Sequence, residues 1–263
     1  MWSVSGKKYM NFDKMNSYII NKIPEKPIGG IILGSGLGGF INTIKDKLVI
    51  PYSEIPNYPV SSVSGHSGDW VFGYINNKPI ICSSGRFHIY EGYSIDEVTL
   101  PVSIMNSLGC KQLIITNSSG CLEKDWSIGD IMLIKGYMDY TFNFGRNKIV
   151  SLNIDKAKTD KMLFHANELN INLRQGIYTW TLGPSYETPA EIVDIYNKGG
   201  NAVGMSTVPE IIKSIEYDLD VIGLCSLTNY AAGMNSKELS HEDVLIESSK
   251  INSVLSEFLC KII

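Results

Sequence analysis

The apolar run Ile28 to Leu33 passes without a spacer into Gly34-Ser35-Gly36-Leu37-Gly38-Gly39, a stretch so rich in glycine that it must form a tight loop. A buried strand that ends this way opens an α/β arrangement, and the rest of the sequence continues it. Residues Trp70 to Ile75 and Lys78 to Ser83 flank Asn76-Asn77, a hairpin signal because Asn tolerates the left-handed backbone of a two-residue turn. Ser94 with Glu97, Thr188 with Glu191 and Thr207 with Glu210 have the reciprocal capping-box spacing of helix starts, and Gly109 and Gly199 stand where the first two helices should stop.

Shorter strand-like runs fill the intervals: Gln112 to Thr116, Asp130 to Ile134, Gly176 to Trp180, Ala202 to Gly204 and Val221 to Leu227. The last helix starts near Ser240 and carries Val244, Ile251, Leu255, Phe258 and Ile262 on one face. Strands alternating with helices, plus one early hairpin, predict an α/β domain over residues 1–263 with a mixed central β-sheet flanked by helices. The polar stretch from Asn143 to Asp160 reads as a long loop.

With 263 residues, 44% of them apolar, the chain can bury a large core. Acidic residues outnumber basic ones by 27 to 23, and a net charge of −4 with no basic block argues against nucleic acid as a partner. Five scattered cysteines in apolar company are expected to be reduced, which points to the cytoplasm. No export signal or membrane span is expected.

Several loops carry chemistry-bearing side chains. Ser35 sits among glycines whose exposed N–H groups can form an anion nest. The run also fits G-x-G-x-x-G, so a dinucleotide fold with Glu54 on the ribose is one alternative. Gly85-Arg86-Phe87-His88-Ile89-Tyr90-Glu91-Gly92-Tyr93 follows a strand; Arg can grip phosphate through two parallel hydrogen bonds and His can add a donor. Gly183-Pro184-Ser185-Tyr186-Glu187-Thr188 and Gly204-Met205-Ser206-Thr207 each precede a capped helix, so Ser206 is another phosphate candidate and Glu187 suits a flat heterocycle with N–H donors. His66 and the run Asn117-Ser118-Ser119-Gly120 lie in small-residue loops, while His165 lies mid-helix and reads as structural. The four histidines match no metal-ligand spacing.

Taken in order, Ile32 to Gly38, Gly85 to Tyr93, Gly183 to Glu187, Ala202 to Glu210 and Leu227-Thr228-Asn229 resemble the trimeric purine nucleoside phosphorylase family over nearly the whole chain. The resemblance implies the nucleoside phosphorylase fold and phosphorolysis of 6-oxopurine (deoxy)ribonucleosides such as inosine, guanosine and xanthosine. It implies that Ser35, Arg86, His88, the backbone N–H of Ser118 and Ser206 surround phosphate, with His66 over its open side. Tyr90, Met205 and His241 would contact ribose; Tyr186, Glu187, Val203, Thr228 and Asn229 would contact the base; and Asn229, Glu187 and His88 would be the catalytic set. Tyr186 stands where many members have Phe, and Ser118 where many have Ala. After Gly136 the family carries a longer segment whose Phe reaches into a neighbouring subunit's site, and only Phe142 or Phe144 could take that part here.

The implied partners are therefore a purine nucleoside and inorganic phosphate, with phosphate as co-substrate, no cofactor or metal, and a homotrimer as the assembly. A methylthioadenosine phosphorylase of the same fold is the nearest alternative, for which an Asp is implied where this chain has Asn229. A non-catalytic nucleoside-binding relative and a nicotinamide oxidoreductase are the others.

Overall fold

The structure, a computed structural model, describes residues 11–60, 67–143, 148–235 and 241–263, and only the backbone of His241. Its elements run α1 (Phe12–Ile20), β1 (Gly29–Leu33), β2 (Lys45–Pro51), β3 (Asp69–Ile75), β4 (Lys78–Ser84), α2 (Ile95–Val98), α3 (Leu100–Leu108), β5 (Gln112–Cys121) and β6 (Ile131–Asp139). They continue with β7 (Val150–Ser151), α4 (Lys156–Glu168), β8 (Leu173–Trp180), α5 (Pro189–Asn197), β9 (Ala202–Gly204), α6 (Val208–Glu216), β10 (Asp220–Tyr230) and α7 (His241–Ile262).

The sheet is mixed, as predicted. Strands β2, β3 and β4 are antiparallel neighbours, and β4, β1, β5 and β10 follow side by side, all parallel. Beyond β10 the sheet curls: β10 pairs with β6, β6 with β8, β8 with β9, and β9 returns to the last residues of β5 through Gly120↔Val203 and Cys121↔Ala202. Five strands thus close into a ring that shares β5 with the open part. Parallel β1, β4, β5 and β10 end on one edge, so Ser35, Arg86, Ser118 and Asn229 are delivered there by the topology alone.

Strand alternation sorts the core into two layers. Ile32, Leu113, Ile115, Cys225 and Leu227 face one cluster, with Met15, Met105 and Ile211 from α1, α3 and α6. Ile31, Leu33, Ile114, Ile222 and Leu224 face the other, with Met162 from α4 and Leu255, Phe258 and Ile262 from α7. The predicted stripe of α7 is the buried one.

The hairpin turn at Asn76 and Asn77 has φ of 51° and 61°, the left-handed pair the sequence calls for. All three capping boxes form, and Gly109 stops α3 with φ 96°. The stretch Asn143 to Asp160 departs from expectation. It contains β7, which pairs with β6, and the first turn of α4, capped by Asp155 accepting from the Lys158 N–H at 3.1 Å. Helix α4 is lysine-rich and buries only Thr159, Met162 and Ala166, so its apolar period is faint in the sequence. His165 pairs with Glu168 at 2.9 Å on that helix.

The dinucleotide alternative does not survive the backbone. The glycine-rich loop runs into a 3₁₀ turn over Gly38–Thr43 and supplies no α-helix N-terminus for a pyrophosphate, while Glu54 is a surface partner of Lys22 at 2.8 Å.

Candidate functional site

A cleft opens at the strand-end edge. At its deeper end two backbone loops touch. A Cβ on Gly34 would lie 2.7 Å from Asn117 Cα, so only glycine lets the loop after β1 approach the end of β5. The contact is fixed by the Gly34 N–H donating to Thr116 Oγ1 at 3.2 Å and by Ser118 Oγ donating to the Ser35 carbonyl at 2.9 Å.

Arg86 lies beneath this junction and is 1% exposed. Its Nε donates to Glu210 Oε1 at 2.7 Å, and its Nη1 to the Thr116 carbonyl at 2.9 Å and to Ser206 Oγ at 3.2 Å. Nη2 is buried without a hydrogen-bond partner among the described residues. The two parallel bonds expected between a guanidinium edge and phosphate are therefore not on offer, because Glu210 occupies Nε and Thr116 and Ser206 occupy Nη1. What Arg86 presents is a desolvated cation with one unspent nitrogen, and burying that nitrogen is costly unless an acceptor meets it.

Glu210 is 0% exposed and holds more than Arg86. Its other oxygen accepts from the Thr207 N–H at 2.8 Å. Thr207 has φ 77° and ψ −46°, a left-handed conformation in which the Val208 N–H turns back to the Ser206 carbonyl at 2.9 Å. Such a γ-turn costs on the order of 1–3 kcal/mol in a non-glycine residue and persists only where neighbours impose it. Here Glu210 holds its N–H, Asn117 Nδ2 donates to its Oγ1 at 2.8 Å, and Ser119 donates to Asn117 in turn. This turn places Ser206 beside Arg86.

His88 is 6% exposed and is oriented by Glu91, which accepts from its backbone N–H at 2.9 Å and lies 3.1 Å from its Nδ1. A carboxylate can only accept, so Nδ1 carries the proton and the opposite ring nitrogen is the atom turned away from Glu91. The ring stacks on Tyr90 at 4.7 Å between centroids. Burial pushes the Tyr90 hydroxyl up to about 12, so it stays a neutral phenol able to donate and accept.

The other end of the cleft holds the amide and the carboxylate. Asn229 Nδ2 donates to the Tyr230 carbonyl at 3.0 Å, and Thr228 Oγ1 donates to its Oδ1 at 3.0 Å. A carbonyl accepts only, which assigns the amide orientation and leaves the second N–H of Nδ2 uncommitted by these two bonds. A Cβ on Gly120 would lie 3.3 Å from that nitrogen, so glycine here keeps the amide's space open. Glu187 receives a hydrogen bond from Thr181 Oγ1 at 2.5 Å, and burial raises its carboxyl above the ordinary range. Tyr186 beside it is 38% exposed.

The structure brings Ser35, Arg86, His88, Tyr90, Ser118 and Ser206, and also Tyr186, Glu187, Val203, Met205, Thr228 and Asn229, to the wall of this single cleft. His66, the side chain of His241 and Phe144 lie outside the described residues. Phe142 is 61% exposed and does not line the cleft of its own chain. Sequence reading gave no individual role to Asn117, Ser119, Gly120, Ala231 and Val244, which also line it. Glu210 and Thr181 were missed for a different reason. The capping-box spacing of Glu210 already explained it, and Thr181 is an isolated hydroxyl after a strand.

The sequence pattern of the phosphorylase superfamily matches residues 29–263. The purine nucleoside phosphorylase 1 of Geobacillus stearothermophilus is 38% identical over 260 residues, covering 94% of both chains. A Schistosoma mansoni purine nucleoside phosphorylase solved with inosine superposes with a TM-score of 0.86 at 32% identity, covering 95% of this chain and 94% of the other. Isoform 2 from the same organism, solved with cytosine and ribose 1-phosphate, gives 0.86 at 33% identity, covering 97% and 95%.

Proposed function

The chain belongs to the purine nucleoside phosphorylases of the phosphorylase superfamily, and on that premise we propose that it cleaves 6-oxopurine nucleosides with inorganic phosphate, releasing base and (deoxy)ribose 1-phosphate. The observation that carries this reading is the polarity of one cleft. A buried cation with an unspent donor lies at one end and a partly buried carboxylate beside an amide at the other, with Tyr90 and Met205 also on its wall.

In this reading phosphate meets Arg86, the Ser35 loop, the Ser118 N–H, Ser206 and His88, with His66 on its open side. It is thereby held for attack on the ribose C1′ from the face opposite the base. Positioning of this kind removes much of the entropic barrier of a bimolecular step. Tyr90, Met205 and His241 hold the ribose. As the C–N bond breaks, the ribose takes on oxocarbenium character and negative charge moves onto the purine. Asn229 donates to N7 or O6 as that charge builds, Glu187 accepts from N1–H, and Tyr186, Val203 and Thr228 enclose the ring. The reaction calls on no metal or organic cofactor.

The amide at Asn229 speaks against a methylthioadenosine phosphorylase, because a 6-amino group would meet an N–H donor there. We assign the enzyme to purine salvage as a homotrimer. The exposure of Phe142, a non-glycine residue at φ 63° beside Tyr140, supports an aromatic offered to a neighbouring subunit. A cytoplasmic location rests on the five scattered cysteines, and among the described residues no helix is long and apolar enough to cross a membrane. The deciding assay is release of hypoxanthine from inosine with and without phosphate. Equal release in phosphate-free buffer would overturn phosphorolysis in favour of hydrolysis.

A further inference from the structure

A hydroxyl bonded to Glu187 is not used by the mechanism above. Thr181 follows β8 directly, is 8% exposed, and has its main chain fixed by its N–H donating to the Gly204 carbonyl at 2.9 Å. Its Oγ1 lies 2.5 Å from Glu187 Oε1 and 3.3 Å from the Gly204 carbonyl. A hydroxyl has one hydrogen, and the shorter, charge-assisted contact takes it.

We propose that Thr181 is a specificity-determining positioning residue, whose hydroxyl occupies Glu187 Oε1 and so commits Oε2 to the purine N1 edge. The proposal rests on the reading of Glu187 as the partner of N1. It adds what makes that carboxylate discriminate. A glutamate with three rotatable side-chain bonds could offer either oxygen, but a donor anchored on the β8 end removes that freedom.

The same contact decides what Oε2 does. Glu187 is acted on by Thr181 from the β8 end, by its own backbone N–H and by Glu191 on α5, with Tyr186 on its own loop and Asp243 on α7 acting on Tyr186. Burial and Glu191 disfavour the charged carboxyl, while the two hydrogen bonds favour it. When ionised, Oε2 accepts from the N1–H of a 6-oxopurine. When protonated, Oε1 still accepts from Thr181, so the proton resides on Oε2 and faces N1 as a donor, the arrangement that suits the bare N1 of a 6-aminopurine. Selectivity for the 6-oxo base therefore weakens as pH falls through the carboxyl's raised value, and removing the Thr181 hydroxyl moves that change to higher pH.

The test is kcat/KM for inosine and adenosine at saturating phosphate, from about pH 5 to pH 9, for wild type, Thr181→Val, Thr181→Ser and Glu187→Gln. In wild type the adenosine-to-inosine ratio should rise as pH falls. Thr181→Val should raise KM for inosine about tenfold with kcat little changed, and shift the acid limb upward by roughly one pH unit. Thr181→Ser should return both toward wild type. A Thr181→Val enzyme with wild-type KM and acid limb, beside an impaired Glu187→Gln, refutes the role of Thr181 and leaves the base reading standing. A Glu187→Gln enzyme indistinguishable from wild type overturns both. A ratio independent of pH in wild type overturns the proposal without recourse to any variant.

Discussion

At the phosphate end of the cleft Arg86, Glu210, Thr207 and Asn117 are each 1% exposed or less and are joined by hydrogen bonds, with one nitrogen of Arg86 left over. At the base end Tyr186 is 38% exposed, and Glu187 is held through one hydroxyl and its own backbone. The first end is built from buried side chains of one chain that are bonded to one another. The second keeps an open side. In the proposed reaction preorganisation is thus unequally divided: the nucleophile would be placed by buried, mutually bonded side chains, the leaving group by a more open wall.

The sharpest way to break this contrast is to disturb Glu210. Removing one partner of a buried ion pair leaves the other charge stranded, at a cost of about 3–5 kcal/mol. Glu210→Ala should therefore lower the urea-unfolding free energy by that amount and abolish phosphate use, whereas Tyr186→Ala should leave unfolding within about 1 kcal/mol of wild type. Arg86→Ala should cost roughly a hundred- to a thousandfold in kcat/KM for phosphate, by analogy with loss of a positioned anion donor. Arg86→Lys should recover little, since an ammonium cannot serve Glu210, Thr116 and phosphate from one plane. If Glu210→Ala and Tyr186→Ala unfold alike, the two ends are not built differently.

At the base end the largest expected effect lies with Asn229. A 6-amino group would face its N–H and leave buried donors unsatisfied, worth roughly 1–3 kcal/mol or about ten- to a hundredfold in discrimination. Asn229→Asp should raise the adenosine-to-inosine ratio of kcat/KM, mainly through lost inosine activity. A wild type that already cleaves both equally well would refute this assignment.

What the sequence made legible was local. The Ser35 loop, the Arg86 to Tyr93 loop and the capping boxes are runs of adjacent residues whose chemistry points to strand ends and helix starts, and parallel β1, β4, β5 and β10 carry several of them to one edge. What stayed hidden was pairwise and distant. Glu210 lies 124 positions from Arg86, so nothing local marks the ion pair that redirects the guanidinium. The closure of β9 onto β5 rests on two residue pairs and has no pattern of its own. The first turn of α4 escaped because the helix's buried face is short and its exposed face is rich in lysine.

A neighbour's contribution would show as a smaller, concentration-dependent effect. Phe142→Ala should raise KM for inosine about tenfold, the scale of one lost aromatic contact of about 1.4 kcal/mol, with the phosphate end unaffected. Sedimentation of wild type should give a trimer. A monomer with full activity would show that the open base end closes without a second chain.

The smallest effect tests how the two ends are linked. Ser118 Oγ donates its only hydrogen to the Ser35 carbonyl at 2.9 Å, so at its 2.8 Å contact with Ser248 Oγ the hydrogen must come from Ser248 on α7. These hydroxyls tie the phosphate loop to the helix that brings Val244 to the cleft. Ser118→Ala keeps the backbone N–H proposed to meet phosphate but strands the hydroxyl of Ser248, which is 0% exposed. The expected cost is about 1–2 kcal/mol in unfolding, with no more than a few-fold rise in KM for phosphate. Because Ser248→Ala removes the stranded donor, the double variant should be no less stable than Ser118→Ala alone, a non-additivity that a double-mutant cycle measures directly. Strict additivity would mean the two hydroxyls do not share a hydrogen bond, and that α7 and the phosphate loop are held together by packing alone.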